Sequence, residues 1–161
     1  MQLSPQLRYT NGNESEVMKM EDCIFCKIIA GEIPSYTVYE DDVVKAFLDI
    51  SQNTPGHTLV IPKKHVKDIF EYDEDLAAEV FKRIPKIARA IKASNPDIKG
   101  MNVMNNNGEV AYQSVFHSHW HLLPRYSSDD EFKINFTDNS NDYASEDYEA
   151  VRQSIAAQFK D

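Results

Sequence analysis

Positive charge is scarce in this chain: 17 Lys and Arg face 26 Asp and Glu, for a formal net charge of -9. Nucleic-acid binding without sequence preference needs a basic surface that displaces counterions, so no nucleic-acid partner is expected. A small anionic ligand remains open, because a local site can be positive inside an acidic protein. Long apolar runs are also missing. No stretch is long enough to span a membrane, so no membrane partner is expected. Residues 1 to 20 hold no apolar signal core, and the expected location is cytoplasmic. Cysteine is limited to two residues, both in "CIFC". Their two-residue gap suits a metal or redox pair better than a structural disulfide. With no second cysteine pair, any zinc bound here needs histidines. No strand precedes the pair as a thioredoxin-like motif requires, and the remaining alternative is two small buried residues on a short helix.

The 42% of hydrophobic residues is enough to build a core, and 161 residues suit one domain. Residues 1 to 20 read as a disordered extension, with Met18 and Met20 as alternative starts. Residues 21 to 161 read as a single domain that closes with a C-terminal helix. "CIFCKIIAGEIP" suits a short helix ended by Gly31 and Pro34. Residues 36 to 50 read as a hairpin across "DD", and "HTLVIP" as a β-branched strand closed by Pro62. "KKHVKDIF" reads as a loop or a short helix. Leu76, Val80, Ile84, Ile87 and Ile91 recur at helical spacing over 73 to 94, with Pro85 expected to kink or split that helix. "GMNVMN" reads as a strand, "NNGEVAYQ" as a loop, "SVFHSHWHLLPRY" as a strand ended by Pro124, and 145 to 159 as a capped amphipathic helix. Mixed helices and antiparallel strands, without strict β-α-β alternation, give an α+β fold.

"FHSHWHLL", residues 116 to 123, carries three of the five histidines at every second position. In a strand His117, His119 and His121 share one face, and Ser118, Trp120 and Leu122 face the other way. Three imidazoles in a row are costly to bury and have no purpose when exposed. Three readings follow: a solvated polar face, a catalytic zinc held by His-x-His and another ligand, or a nucleophilic histidine with two helpers. The Gly-containing polar loop "NNNGEVAYQS" runs straight into the row. Its backbone N–H groups, with Gln113 and Ser114, suit a phosphate.

"HSHWHLL" resembles the signature of the histidine-triad family, His-φ-His-φ-His-φ-φ with φ apolar, with Ser118 as an imperfect match. "LDIS", "GHTLVIPKKH", "NNGE" and "QSVFH" are similar to further motifs of that family, in the same order, over about residues 22 to 126. The closest resemblance is to a bacterial branch that begins with Cys-x-x-Cys. The resemblance implies an antiparallel sheet with a long helix and short flanking helices. It implies a homodimer, with 73 to 94 as the interface helix. It also implies a purine-nucleotide hydrolase or transferase that cleaves at the α-phosphate of nucleoside phosphoramidates or dinucleoside polyphosphates.

By the same resemblance His119 is the nucleophile that forms a nucleotidyl-histidine intermediate. His121 is the helper on phosphate and leaving group, and His57 supports the triad. Gln113 and Ser114 hold phosphate, Asn106 is a polar loop contact, and Asp49 holds the ribose hydroxyls. Ile24, Phe25, Ile28 and Ile50 match the base pocket, with core packing as the alternative. The branch binds a structural zinc through its cysteine pair and two histidines, which match Cys23, Cys26, His65 and His117; catalysis itself is expected to need no metal. Where the family has a small residue, often glycine, before the glutamine, this chain has Tyr112. A bulky group there narrows the leaving-group side or remakes the loop. It keeps open a second reading, a nucleotide-binding or partner-binding module with weak or no catalysis.

Overall fold

The computed structural model describes residues 22–159. The proposed extension over 1 to 20 therefore lies outside the described residues. Helix α1 (Ile24–Ile29) starts at Cys23, whose Sγ accepts from the Cys26 N–H at 3.5 Å. It ends at Gly31, where φ is +78°. The Gly31 N–H bonds to Ile28 O and the Glu32 N–H to Lys27 O, so the last carbonyls are satisfied by a turn that favours glycine.

Strands β1 (Thr37–Glu40) and β2 (Val44–Leu48) form the expected hairpin. Asp41 closes the turn by accepting from the N–H groups of Val43 and Val44, both at 2.9 Å. It also pairs with Arg83 on helix α2 (Glu74–Ser94), which ties the hairpin to the helix. Strand β3 is Thr58–Pro62, β4 is Gly100–Asn105 and β5 is Trp120–Arg125. All pairings are antiparallel, in the spatial order β1-β2-β3-β5-β4. Helix α3 (Ser145–Ala156) closes the described chain, its first turn tied by the Ala144 N–H donating to Asp147.

Alternation along the strands makes two cores. Val44, Ala46, Val60 and Leu122 point to one face of the sheet, where they meet Val80, Ile84, Ile87 and Ile91 of α2. Phe47, Leu59 and Ile61 point to the other, against Phe25 and Ile28 of α1. β3 is buried on both sides and reads as a continuous apolar run for that reason.

Three expectations need correction. Pro85 does not split α2, which runs unbroken through it. Pro124 does not end its strand but lies inside β5, opposite Met101. The histidine segment is only half strand: β5 begins at Trp120, so His117 and His119 stand in the irregular chain that leads into it. The alternation nevertheless carries on through that lead-in.

Candidate active site and metal centre

The α1 face of the sheet carries the chemistry. β5 delivers His121, paired across the strands with Leu59. His119 and His117 follow on the same side, since the ring of Phe25 stands edge-on to both, at centroid distances of 5.1 and 5.8 Å. The rings of His119 and His121 are 5.0 Å apart, and those of His121 and His57 are 5.2 Å apart. Ser118 faces the other way and accepts from the Tyr72 hydroxyl at 3.1 Å, while Trp120 meets Phe81 edge-on. The face assignment read from the sequence therefore holds.

Each imidazole has a fixed orientation. His119 Nδ1 donates to the carbonyl of His117 at 2.8 Å, which leaves Nε2 with the lone pair. The His119 carbonyl in turn accepts from Asn105 Nδ2 at 2.8 Å, and Asn105 Oδ1 accepts from Asn107 Nδ2 at 2.8 Å. His57 Nε2 lies 2.9 Å from His121 Nδ1 and 3.9 Å from Asp49 Oδ2. A proton on His57 Nε2 faces both of these acceptors. His121 then carries its own proton on Nε2, a buried atom with no partner among the described residues.

Burial pushes the pKa values of His57, His119 and His121 below the ordinary imidazole value, that of His121 to about 4. The row is neutral at pH 7, and the Asp49–His57 contact is no ion pair. Burial pushes Asp49 upward, but two hydrogen bonds from Ser51, each 2.7 Å, outweigh it, so this carboxylate stays ionised.

The loop from Asp49 to His57 is held by Gln52. Its Nε2 donates to the carbonyls of Asp49 (2.7 Å) and His57 (2.8 Å), and its Oε1 accepts from the Gly56 N–H (2.9 Å). Gly56 has φ +89°, and a Cβ there would meet Pro124 Cγ at 3.3 Å, so the residue before His57 is restricted to glycine on both counts. Gln113 is buried and clasps the second loop. It accepts from the Gly108 N–H at 2.7 Å and donates to the carbonyls of Lys67 (2.6 Å) and Val115 (3.2 Å). Ser114 is exposed and Asn106 half-buried. Phe25 and Ile28 are packed into the core, whereas Ile24 and Ile50 are exposed, the latter by 92%. Sequence reading missed Asn105, Asn107 and Gln52. A polar loop announces such residues only as a class, and their targets are backbone atoms that no motif records.

At the far end of the row, Cys23, Cys26, His65 and His117 converge, with their ligand atoms all within 4.8 Å of one another. His117 Nδ1 is 3.5 and 3.6 Å from the two sulfurs, Cys26 Sγ is 3.3 Å from His65 Nδ1, and the two Nδ1 atoms are 3.2 Å apart. A tetrahedral zinc with bonds of about 2.3 Å to sulfur and about 2.0 Å to nitrogen has edges of about 3.3 to 3.8 Å, so the set fits zinc closely. His117 Nε2 donates to the Pro62 carbonyl at 2.8 Å, which aims the Nδ1 lone pair at the sulfurs. Without a cation the pair is poorly placed to ionise: burial and the adjacent Cys23 push Cys26 up to about 12. Four protein ligands leave no open position, as in structural sites.

A model of the HIT domain matches residues 30–128. The chain belongs to the histidine-triad (HIT) family. It is 54% identical to Protein hit of Bacillus subtilis over 136 residues, which is 84% of this chain and 93% of that protein. A crystal structure of a HIT family protein from the same organism superposes with a TM-score of 0.83 at 51% identity, covering 87% of this chain and 99% of that one. The adenosine 5'-monophosphoramidase hnt1 of Schizosaccharomyces pombe is 34% identical over 138 residues, 86% of this chain and 98% of that protein. A zinc-bound histidine-triad protein from Mycobacterium smegmatis matches with a TM-score of 0.66 at 33% identity, covering 85% of this chain and 99% of that one. The α+β architecture of this HIT chain is the fold of these solved neighbours.

Proposed function

We propose that this protein hydrolyses or transfers nucleotides at the α-phosphate, through a nucleotidyl-histidine intermediate on His119, with nucleoside phosphoramidates or dinucleoside polyphosphates as substrates. The observation that carries this reading is the hydrogen bond from His119 Nδ1 to the His117 carbonyl, which leaves Nε2 as a free, neutral nucleophile. His119 Nε2 attacks phosphorus, and the bond from phosphorus to the amine nitrogen or phosphate oxygen breaks. The departing group takes its electron pair and a proton from solvent water. His121 Nε2–H steadies the oxygens of the phosphoryl group, and His57 orients His121. Water then attacks phosphorus, the Nε2–P bond breaks, and the nucleoside monophosphate leaves. Asp49 is ionised and suits ribose hydroxyls. Ile24 and Ile50 offer exposed apolar surface to a purine, and Gln113 shapes a loop whose Ser114 hydroxyl is free for phosphate.

Cys23, Cys26, His65 and His117 would hold a structural zinc, which supplies a rigid anchor for the chain entering β5. The family relation, the unpaired edge of β4 with exposed Val103, and the exposed apolar stripe Tyr148, Val151 and Ile155 on α3 support a homodimer. The free cysteine pair supports a cytoplasmic setting.

The test is intact-protein mass spectrometry after brief mixing with an adenosine phosphoramidate. Wild type and His121→Ala should carry a nucleotidyl adduct that His119→Ala lacks. If there is neither an adduct nor released amine, while the nucleotide still binds, the protein is a binding module.

A further inference from the structure

Tyr112 adopts a backbone conformation that its own side chain disfavours. Its φ is +64° and ψ +23°, the left-handed region where a side chain is unfavourable and glycine is favoured. The bulky residue occupies a conformation that favours glycine. Hydrogen bonds enforce this. The N–H groups of Ala111 and Gln113 both donate to Gly108 O (3.1 Å each), the Tyr112 N–H donates to Glu109 O at 3.0 Å, and Gly108 donates back to the Gln113 side chain.

The side chain returns nothing to the chain that strains for it. It is 88% exposed, and its hydroxyl has no hydrogen-bond partner among the described residues. Gln52, the other non-glycine residue at positive φ among the described residues, makes three side-chain hydrogen bonds in return. Val110, on the same turn, is 99% exposed. An aromatic ring held in a strained conformation, bare, beside a phosphate-shaped loop is built to meet a molecule from outside.

Its position says which part of that molecule. The histidine row runs from Asp49 and His57, through His121 and His119, to His117. The loop leads into the His117 end: Gln113 bonds to Val115, and Val115 packs against the cluster that holds Phe25, whose ring contacts His117 and His119. A nucleotide with its ribose at Asp49 and its phosphorus at His119 has its ribose at the opposite end of the row from Tyr112. The group expelled in line departs on the side of phosphorus opposite His119 Nε2. We propose that Tyr112 selects the leaving group, favouring one that carries a planar aromatic ring to stack on the exposed phenol. That ring is an aryl group on an amine or the base of a second nucleoside linked through phosphates. This inference rests on the nucleotide-hydrolase reading above.

The test compares three substrates: adenosine 5'-phosphoramidate, which expels ammonia; an adenosine phosphoramidate of an arylalkylamine; and a diadenosine polyphosphate. For each, kcat/KM is measured for wild type and for Tyr112→Phe, Tyr112→Ala and Tyr112→Gly. The ratio of kcat/KM for a ring-bearing substrate to that for the ammonia substrate should fall about tenfold in the Ala and Gly variants, and Phe should keep the wild-type ratio. A fall confined to the arylamine, or to the dinucleotide, supports the proposal and names the source of the ring. Ratios that stay level in Tyr112→Gly overturn it. Ratios that rise overturn it too, and make Tyr112 a gate rather than a platform. Wild type that turns over none of the three and forms no adduct refutes the hydrolase reading itself, a failure distinct from level ratios in an active enzyme.

Discussion

The carbonyl of His117 accepts from Nδ1 of His119 at 2.8 Å, while the ring of the same His117 faces Cys23 and Cys26. One residue thus belongs to the metal cluster through its side chain and to the neighbouring imidazole through its backbone. The two centres are linked by two residues of chain.

Removing a zinc held by Cys23, Cys26, His65 and His117 should therefore act on the fold first. In Cys26→Ser, or after prolonged chelation, zinc content falls on elemental analysis and Tm drops by several degrees or more. Activity should decay in step with the loss of folded protein. Immediate loss of turnover on adding a chelator, with the circular dichroism unchanged, would instead make the metal a participant in catalysis.

Acid should destabilise the row in a definite window. His121 titrates near 4 in the folded chain because burial, then His119 and His57, disfavour its charge; unfolded, it titrates near the ordinary imidazole value of about 6.5. Between these values the unfolded state binds the extra proton, so stability falls as pH drops from about 6.5 to about 4 and levels off below. The share of His121 is at most about 3 kcal/mol. His121→Asn should gain stability relative to wild type as pH falls through that window, in denaturant titrations at pH 7 and pH 5. A constant difference between the two proteins would refute it.

Gln52 holds Asp49 beside His57 through three hydrogen bonds, although it contacts neither side chain. Gln52→Ala should cost about 1–3 kcal/mol of stability through the carbonyls it leaves unpaired. In the enzyme reading it should also raise KM for nucleotides more than it lowers kcat, because the loop that bears the ribose contact loosens. Equal losses of both on nucleotide and 2'-deoxy, 3'-deoxy nucleotide substrates would place the effect elsewhere.

Much of this was legible in the sequence because the chain states its periods clearly. The α2 stripe, the hairpin and the face alternation of 117 to 122 each follow from a repeat of about 3.6 or 2. The four metal-cluster residues also meet as the family resemblance implies. The misreadings came from prolines and from segment limits. Pro124 reads as a stop, yet it sits inside a paired strand. The lead-in through His117 and His119 looks like strand because it keeps the alternation, but its backbone polar groups go elsewhere: Ser118 N–H donates to Val66 O. Asn105 and Gln52 stayed hidden because their partners are main-chain carbonyls brought close only by folding.

β5 reverses its allegiance at every residue: His121 lies in the site, and Leu122 is fully buried against α2. Losing one residue from this strand would harm both sides at once. An imidazole would turn into the apolar core, and a leucine would turn into the site. Descendants of this chain are therefore free to drift in length only at the loops and beyond Arg125. The strand itself can change letters but not count.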